Sequence, residues 1–225
     1  FDILWLDGGW IRGDEVGLDS VLVKARSGQQ KGLICVDRTI QGPNENYQTP
    51  EQTIPDHQIN HPWESCITFT HSWGWLANPD YKSTNKVLGL LAEIVAKGGC
   101  MVLGVGPSPE GLIPTDEVAR LKEIGDWLRV NGEAIYSTRT TKNYHQGNTW
   151  FTANKNGRTL YAIYAVPDSE QVPQTITWEG NLPKGKVILI DGNKELDTQI
   201  KGKQVTVTLP QGMPNQPVAL KFDVK

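Results

Sequence analysis

The sequence predicts an α/β unit followed by an antiparallel β unit, and three observations carry that prediction. Short apolar runs at Ile3–Leu6, Leu33–Val36 and Cys100–Val105 alternate with loop or helical segments, as in a parallel α/β sheet or barrel. From near Ser137 the pattern changes to short alternating runs separated by tight turns, as in an antiparallel sandwich. The length of 225 residues, with 38% hydrophobic and 21% charged residues, suits one large globular domain or two smaller ones.

Bulk properties exclude several classes of function. No run of 18 apolar residues occurs, so no membrane-spanning helix is predicted. Lysine plus arginine (22) against aspartate plus glutamate (25) leaves a net charge of −3 with no basic cluster, which argues against nucleic acid as a partner. Cys35, Cys66 and Cys100 are widely spaced, with no Cys-x-x-Cys pair and no histidine at metal-ligand distance. They read as small core residues, and neither a disulfide framework nor a metal site is implied.

Taken in order, Ile3, Leu4 and Leu6 form a buried strand that ends at Asp7, with Gly8-Gly9 as its stop. Asp-Gly after a strand is a common turn signal, so Asp7 is either a turn former or a site residue. Trp5 and Trp10 on either side favour the second reading, because flat aromatic surface beside a carboxylate suits a sugar ring. The chain opens inside this strand, with no Met and no leader, so it is expected to be the C-terminal part of a longer polypeptide.

Ser20–Arg26 fits either a helical turn or a strand. Leu33–Val36 is a second strand, and Asp37-Arg38 follows it much as Asp7 follows the first. Arg38 could hold a carboxylate or a substrate oxygen in bidentate fashion, or serve in a structural ion pair. From Thr39 to Pro62 the chain is irregular, with four prolines and much Asn and Gln, and a loop of that length is usually functional. It carries Glu51, which is otherwise a helix-start acid after Pro50, and His57 and His61, which read as solvated loop residues. Alternation of Ile67 and Phe69 with Thr68 and Thr70 marks a strand. Five of the eight tryptophans (5, 10, 63, 73 and 75) fall in the first third of the chain, which favours an aromatic-lined pocket over simple core packing.

Ser83 to Lys97 has helical spacing and a Gly98-Gly99 stop, and a second helix runs from Thr115, with a cap and acids in its first turn. Beyond Ser137, strands are predicted at Thr159–Tyr164, Lys186–Ile190 and Gln204–Leu209. This part has no cluster of acids or histidines and reads as accessory.

Together, Leu4-Trp-Leu-Asp-Gly-Gly-Trp10, Val36-Asp-Arg38, Thr49-Pro-Glu51, Trp63-Glu-Ser-Cys66, Ser72-Trp-Gly-Trp75, Leu103-Gly-Val-Gly-Pro107 and Gly111-Leu-Ile-Pro114 resemble glycoside hydrolase family 29, the retaining α-L-fucosidases. Each string is weak singly; their order over the first 140 or so residues makes the set specific. The resemblance implies that residues 1–137 are the second half of a (β/α)8-type barrel and residues 138–225 a C-terminal antiparallel β-sandwich. It implies that the first half of the barrel, with substrate-binding histidines, precedes Phe1.

By the same resemblance Asp7 matches the nucleophile, Arg38 a pocket arginine, and Trp5 and Trp73 aromatics beside the sugar, with Trp75 supporting that wall. The acid/base lies on a loop that varies within the family, and both Glu51 and Glu64 are candidates. Glu51 is favoured because site residues tend to come from loops over a rigid scaffold, whereas Glu64 opens a strand. The implied substrate is a fucosylated oligosaccharide or glycoconjugate, hydrolysed with no cofactor, and the implied setting is periplasmic, secreted or lysosomal. A carbohydrate-binding protein without turnover and another barrel glycosidase, such as an α-galactosidase-like enzyme, are the rival readings.

Overall fold

Side-chain alternation along the first strand decides what it packs against. The structure, a computed structural model, describes residues 1–8, 10–37 and 43–224. These form two compact units, Phe1–Ile67 with Gly99–Leu103, and Thr68–Gly98 with Gly104–Lys225.

In the first unit, β1 (Ile3–Trp5), β2 (Ile34–Asp37) and β3 (Tyr47–Gln48) lie parallel in that order, with Ile3 opposite Ile34, Trp5 opposite Val36 and Val36 opposite Tyr47. Ser20–Arg26 belongs to a helix, α1 (Leu18–Ser27), which links β1 to β2. Leu18 and Leu22 lie about one turn apart on it and pack with Leu33, Cys35 and the partly buried Leu4, Leu6 and Ala25. Since neighbouring strand residues face opposite ways, Ile3 and Ile34 stand on the other side of the sheet, and both are exposed. The strand predicted to be buried is therefore covered on one face only.

Two isolated parallel bridges, Gln48 to Trp63 and Glu51 to Cys66, extend the array to β4 (Glu64–Thr68), whose neighbour in turn is β5 (Cys100–Gly104). The predicted strand around Ile67 starts earlier than its alternation suggested, and Ser65 to Phe69 are all buried whatever their polarity. Cys35 and Cys66 are buried as expected; Cys100, at the start of β5, is exposed, which corrects its reading as a core residue.

Trp63 is 3% exposed, and its carbonyl accepts a hydrogen bond from the Cys100 amide at 3.0 Å. A Cβ on Gly99 would sit 2.5 Å from the Trp63 ring, so Gly99 both follows the helix stop and makes room for the indole. Gly99→Ala is expected to destabilise the protein by about 1–3 kcal/mol, as overpacking of a rigid ring does. Denaturant unfolding followed by tryptophan fluorescence measures it.

The second unit contains α2 (Thr84–Ala96) and α3 (Thr115–Asn131). Ser83 caps α2 by accepting from the Lys86 amide at 2.9 Å, and the helix buries Val87, Leu88, Leu91, Ala92, Ile94 and Ala96. Asp116 and Glu117 occupy the first turn of α3 as predicted, but Pro114 holds the N-cap position and no side chain caps the helix.

The antiparallel part comprises two sheets. One has six strands in the order β11 (Lys194–Leu196), β10 (Val187–Leu189), β14 (Val218–Asp223), β8 (Thr159–Tyr164), β7 (Thr149–Ala153) and β6 (His145–Gln146). The other places β13 (Gln204–Thr208) between β12 (Thr198–Lys201) and β9 (Thr175–Glu179). A single apolar cluster joins them: Phe151, Leu160, Leu220 and Phe222 from the first sheet meet Ile176, Trp178, Val205 and Val207 from the second. The Thr175-Ile-Thr-Trp-Glu179 segment alternates exposed and buried residues along its whole length, as a strand with one covered face should.

Candidate active site

The parallel register of the first unit sets the heights of its polar residues. Trp5, Val36 and Tyr47 share one level, and Asp7 follows Trp5 by two residues, exposed at the C-terminal end of β1. Glu64 opens β4 and is half-buried. Glu51 pairs with Cys66, two residues further toward the C-terminal edge than Glu64, and is exposed.

Glu51 does not lie in free loop. The Cys66 amide donates to the Pro50 carbonyl at 3.1 Å and the Gln52 amide donates to the Cys66 carbonyl at 2.8 Å, so both neighbours of Glu51 are tied to β4. Gln52 then takes a left-handed conformation, with φ of 54°, and turns the chain away immediately after Glu51. The backbone of Glu51 is thus held as firmly as a strand residue while its side chain stays at the surface.

Glu64 has close partners. The Trp5 indole N–H donates to Glu64 Oε1 at 3.1 Å, and the Tyr47 hydroxyl is hydrogen-bonded to the same carboxylate and to the Trp5 side chain. Burial, reinforced by the charge of Glu64 and its hydrogen bond, pushes the Tyr47 hydroxyl from 10.0 up to about 12. Because the folded value lies above the unfolded one, this contributes stability in full below pH 10 and loses it as pH rises toward 12. A phenolate absorbance titration checks it: the difference between wild type and Tyr47→Phe is expected to centre near pH 12, and Glu64→Gln to move that midpoint down. Tyr47 was not singled out from the sequence; its signal was an isolated phenol in an otherwise Asn/Gln-rich loop.

The tryptophans divide by role. Trp5 is 43% exposed and Trp10 84%, whereas Trp63 is core. Trp73 and Trp75 belong to the second unit, at 43% and 45% exposure. Their loop lies against the Leu103-Gly-Val-Gly-Pro107 segment, where a Cβ on Gly104 would stand 3.0 Å from the Trp73 ring and one on Gly106 3.0 Å from the Gly74 carbonyl oxygen. The Gly106 amide donates to the buried Glu117 carboxylate at 3.1 Å, which anchors that turn to α3. Glycine at 104 and 106 is what lets the two motifs touch. Arg38 lies outside the described residues. His57 is exposed and His61 half-buried. Among the described residues, no group of three or more His, Cys, Asp or Glu is placed to hold a metal, and no helix is long and apolar enough to cross a membrane.

A strand-end carboxylate, Asp7, thus follows an exposed indole, and a second exposed carboxylate, Glu51, lies at the C-terminal edge of β4. Comparison with known proteins specifies the family: the alpha-L-fucosidase profile matches residues 1–133, more than half of the chain, and the chain belongs to that family. Rat plasma alpha-L-fucosidase is 30% identical over 93% of this chain and 49% of its own length, and the alpha-L-fucosidase of Dictyostelium discoideum 28% identical over 93% and 46%. Among solved structures, alpha-L-fucosidase isoenzyme 1 from Paenibacillus thiaminolyticus superposes with a TM-score of 0.85 at 25% identity, covering 100% of this chain and 58% of that one. The Thermotoga maritima alpha-fucosidase in complex with fucose gives 0.78 at 25% identity, covering 98% and 52%. The chain spans about half the length of the curated relatives it matches.

Proposed function

We propose that the protein is a retaining α-L-fucosidase that hydrolyses terminal α-L-fucosyl linkages of oligosaccharides or glycoconjugates, with Asp7 as nucleophile and Glu51 as acid/base. The observation that supports this most is the exposed Asp7 at the end of β1, two residues past a partly exposed Trp5, inside the segment the family profile matches. In the family's arrangement residues 1–137 form the second half of a (β/α)8-type barrel, and residues 138–225 its β-sandwich. The uncovered Ile3 and Ile34, register partners on the face away from α1, fit a barrel interior completed by further strands.

A retaining mechanism requires two carboxyl groups about 5 Å apart. The Asp7 carboxylate attacks the anomeric carbon and forms an ester as the glycosidic C–O bond breaks, while Glu51 gives its proton to the departing oxygen. Water then yields a proton to Glu51 and attacks the same carbon, which frees Asp7 and releases fucose with its configuration retained. By the family resemblance, Arg38 is a pocket arginine that steadies a carboxylate or a sugar oxygen through its planar fork, and Trp5 packs on the apolar face of the sugar; Trp73 is matched to an aromatic of the same kind, with Trp75 supporting it.

A panel of aryl glycosides tests the reading in the full-length protein. The α-L-fucoside is expected to be cleaved. Cleavage of an α-galactoside in its place, or sugar binding with no turnover, would contradict it. Glu51→Ala is expected to lose activity in proportion to the poorness of the leaving group, with azide restoring turnover of activated substrates, since azide needs no general base.

A further inference from the structure

We propose that Glu64 is a positioning residue, which locks the Trp5 indole beside Asp7 and takes no part in proton transfer. The inference rests on the fucosidase reading for the identity of the sugar, and on the hydrogen bonds of the first unit for everything else.

Three side chains from three strands converge. Trp5 from β1 donates its N–H to Glu64 Oε1 at 3.1 Å, and Tyr47 from β3 bonds the same carboxylate and the Trp5 side chain. Parallel pairing of β1 with β2, of β2 with β3 and of Gln48 with Trp63 brings these positions together. The cluster is therefore built into the backbone register. An exposed indole would otherwise turn about two side-chain torsions, and the shared carboxylate removes that freedom.

Two chemical consequences follow. With its N–H engaged, Trp5 offers a sugar its π-face and no donor, which suits the C–H-rich face and methyl group of a 6-deoxyhexose better than a ring edge lined with hydroxyls. An acid/base must also carry and release a proton in every cycle. Glu64 accepts the Trp5 N–H and is bonded to the Tyr47 hydroxyl, so a proton on it would take acceptor capacity from that cluster. Glu51 lies two residues nearer the C-terminal edge, with its side chain exposed.

The test compares Glu64→Gln and Glu64→Ala in the full-length protein on aryl α-L-fucosides of graded leaving-group acidity, with and without azide. Glu64→Ala is expected to raise KM and lower kcat/KM by about 10- to 100-fold, the worth of hydrogen bonds to a charged acceptor. That loss should be the same for every leaving group and insensitive to azide. Glu64→Gln, which keeps an acceptor oxygen, should recover most of it. A loss in Glu64→Ala that grows with poorer leaving groups and is rescued by azide would make Glu64 the acid/base and overturn the proposal. So would kinetics unchanged from wild type. A second readout is independent of turnover: acrylamide quenching of the Trp5 emission, taken as the difference from a Trp5→Phe background, should increase in Glu64→Ala. Unchanged quenching overturns the positioning role even if no fucoside is cleaved, whereas increased quenching without cleavage leaves the clamp standing and removes the fucosidase reading.

Discussion

Replacing Asp7 by alanine or asparagine in the full-length protein is expected to lower kcat on an aryl α-L-fucoside by about ten-thousandfold or more, the scale on which removing a covalent nucleophile is felt. That loss is expected to be chemical and not structural. Asp7 is exposed, lies just past the end of β1, and belongs to no core cluster, whereas its neighbour Leu6 supplies the packing at that point. The circular dichroism spectrum and melting temperature of Asp7→Asn should therefore match the wild type. Affinity for fucose should persist, because the exposed Trp5 surface remains. Asp7→Ala with added azide is expected to form a glycosyl azide of inverted configuration, since one direct displacement replaces two. Steady-state kinetics with product NMR measure both effects.

The largest loss of stability is expected from Trp178→Ala, which acts in the antiparallel part. Trp178 is 1% exposed and meets Phe222 in a stacked contact at 5.6 Å and Phe151 edge-on at 5.8 Å. Phe151 and Phe222 come from the six-stranded sheet and Trp178 from the three-stranded one, so this trio fastens the two sheets face to face. Truncation leaves a void that flanking strands cannot close without breaking register, at a cost of about 3–5 kcal/mol. At roughly 2–4 °C per kcal/mol for a chain of this size, the melting temperature should fall by about 6–20 °C. Calorimetry measures this.

How much of this was legible in the sequence follows from what each element depends on. α2 was legible because an apolar stripe and a glycine stop agree, β13 because its residues alternate, and β8 as a short apolar and aromatic run between turns. α1 was ambiguous over Ser20–Arg26, since its covered face is narrow and only Leu18 and Leu22 are buried. β3, two residues long, is too short to show any period; it exists through its pairing with β2. Tyr47 was missed for the same reason. Its partners lie on strands 59 residues apart in sequence, a separation that no local pattern encodes. Glu51 was read as a residue on a loop, and the structure adds that its flanking amide and carbonyl groups are tied to β4. Gly99, Gly104 and Gly106 could be seen as turn signals, but the indole and backbone groups they admit could not. The clustering of tryptophans pointed to an aromatic pocket, and four of the five are exposed, while Trp63 packs in the core.

In the proposed mechanism Asp7 forms the covalent bond to the sugar. Incubation of the full-length protein with a 2-deoxy-2-fluoro-α-L-fucosyl donor bearing a good leaving group, followed by peptide mass spectrometry, tests it most directly. Stoichiometric loss of activity is expected, with one 2-fluorofucosyl group on the peptide that carries Asp7 and fragmentation placing it on that carboxylate. A label on Glu51, Glu64 or any other residue, or continued turnover with no label, would contradict it.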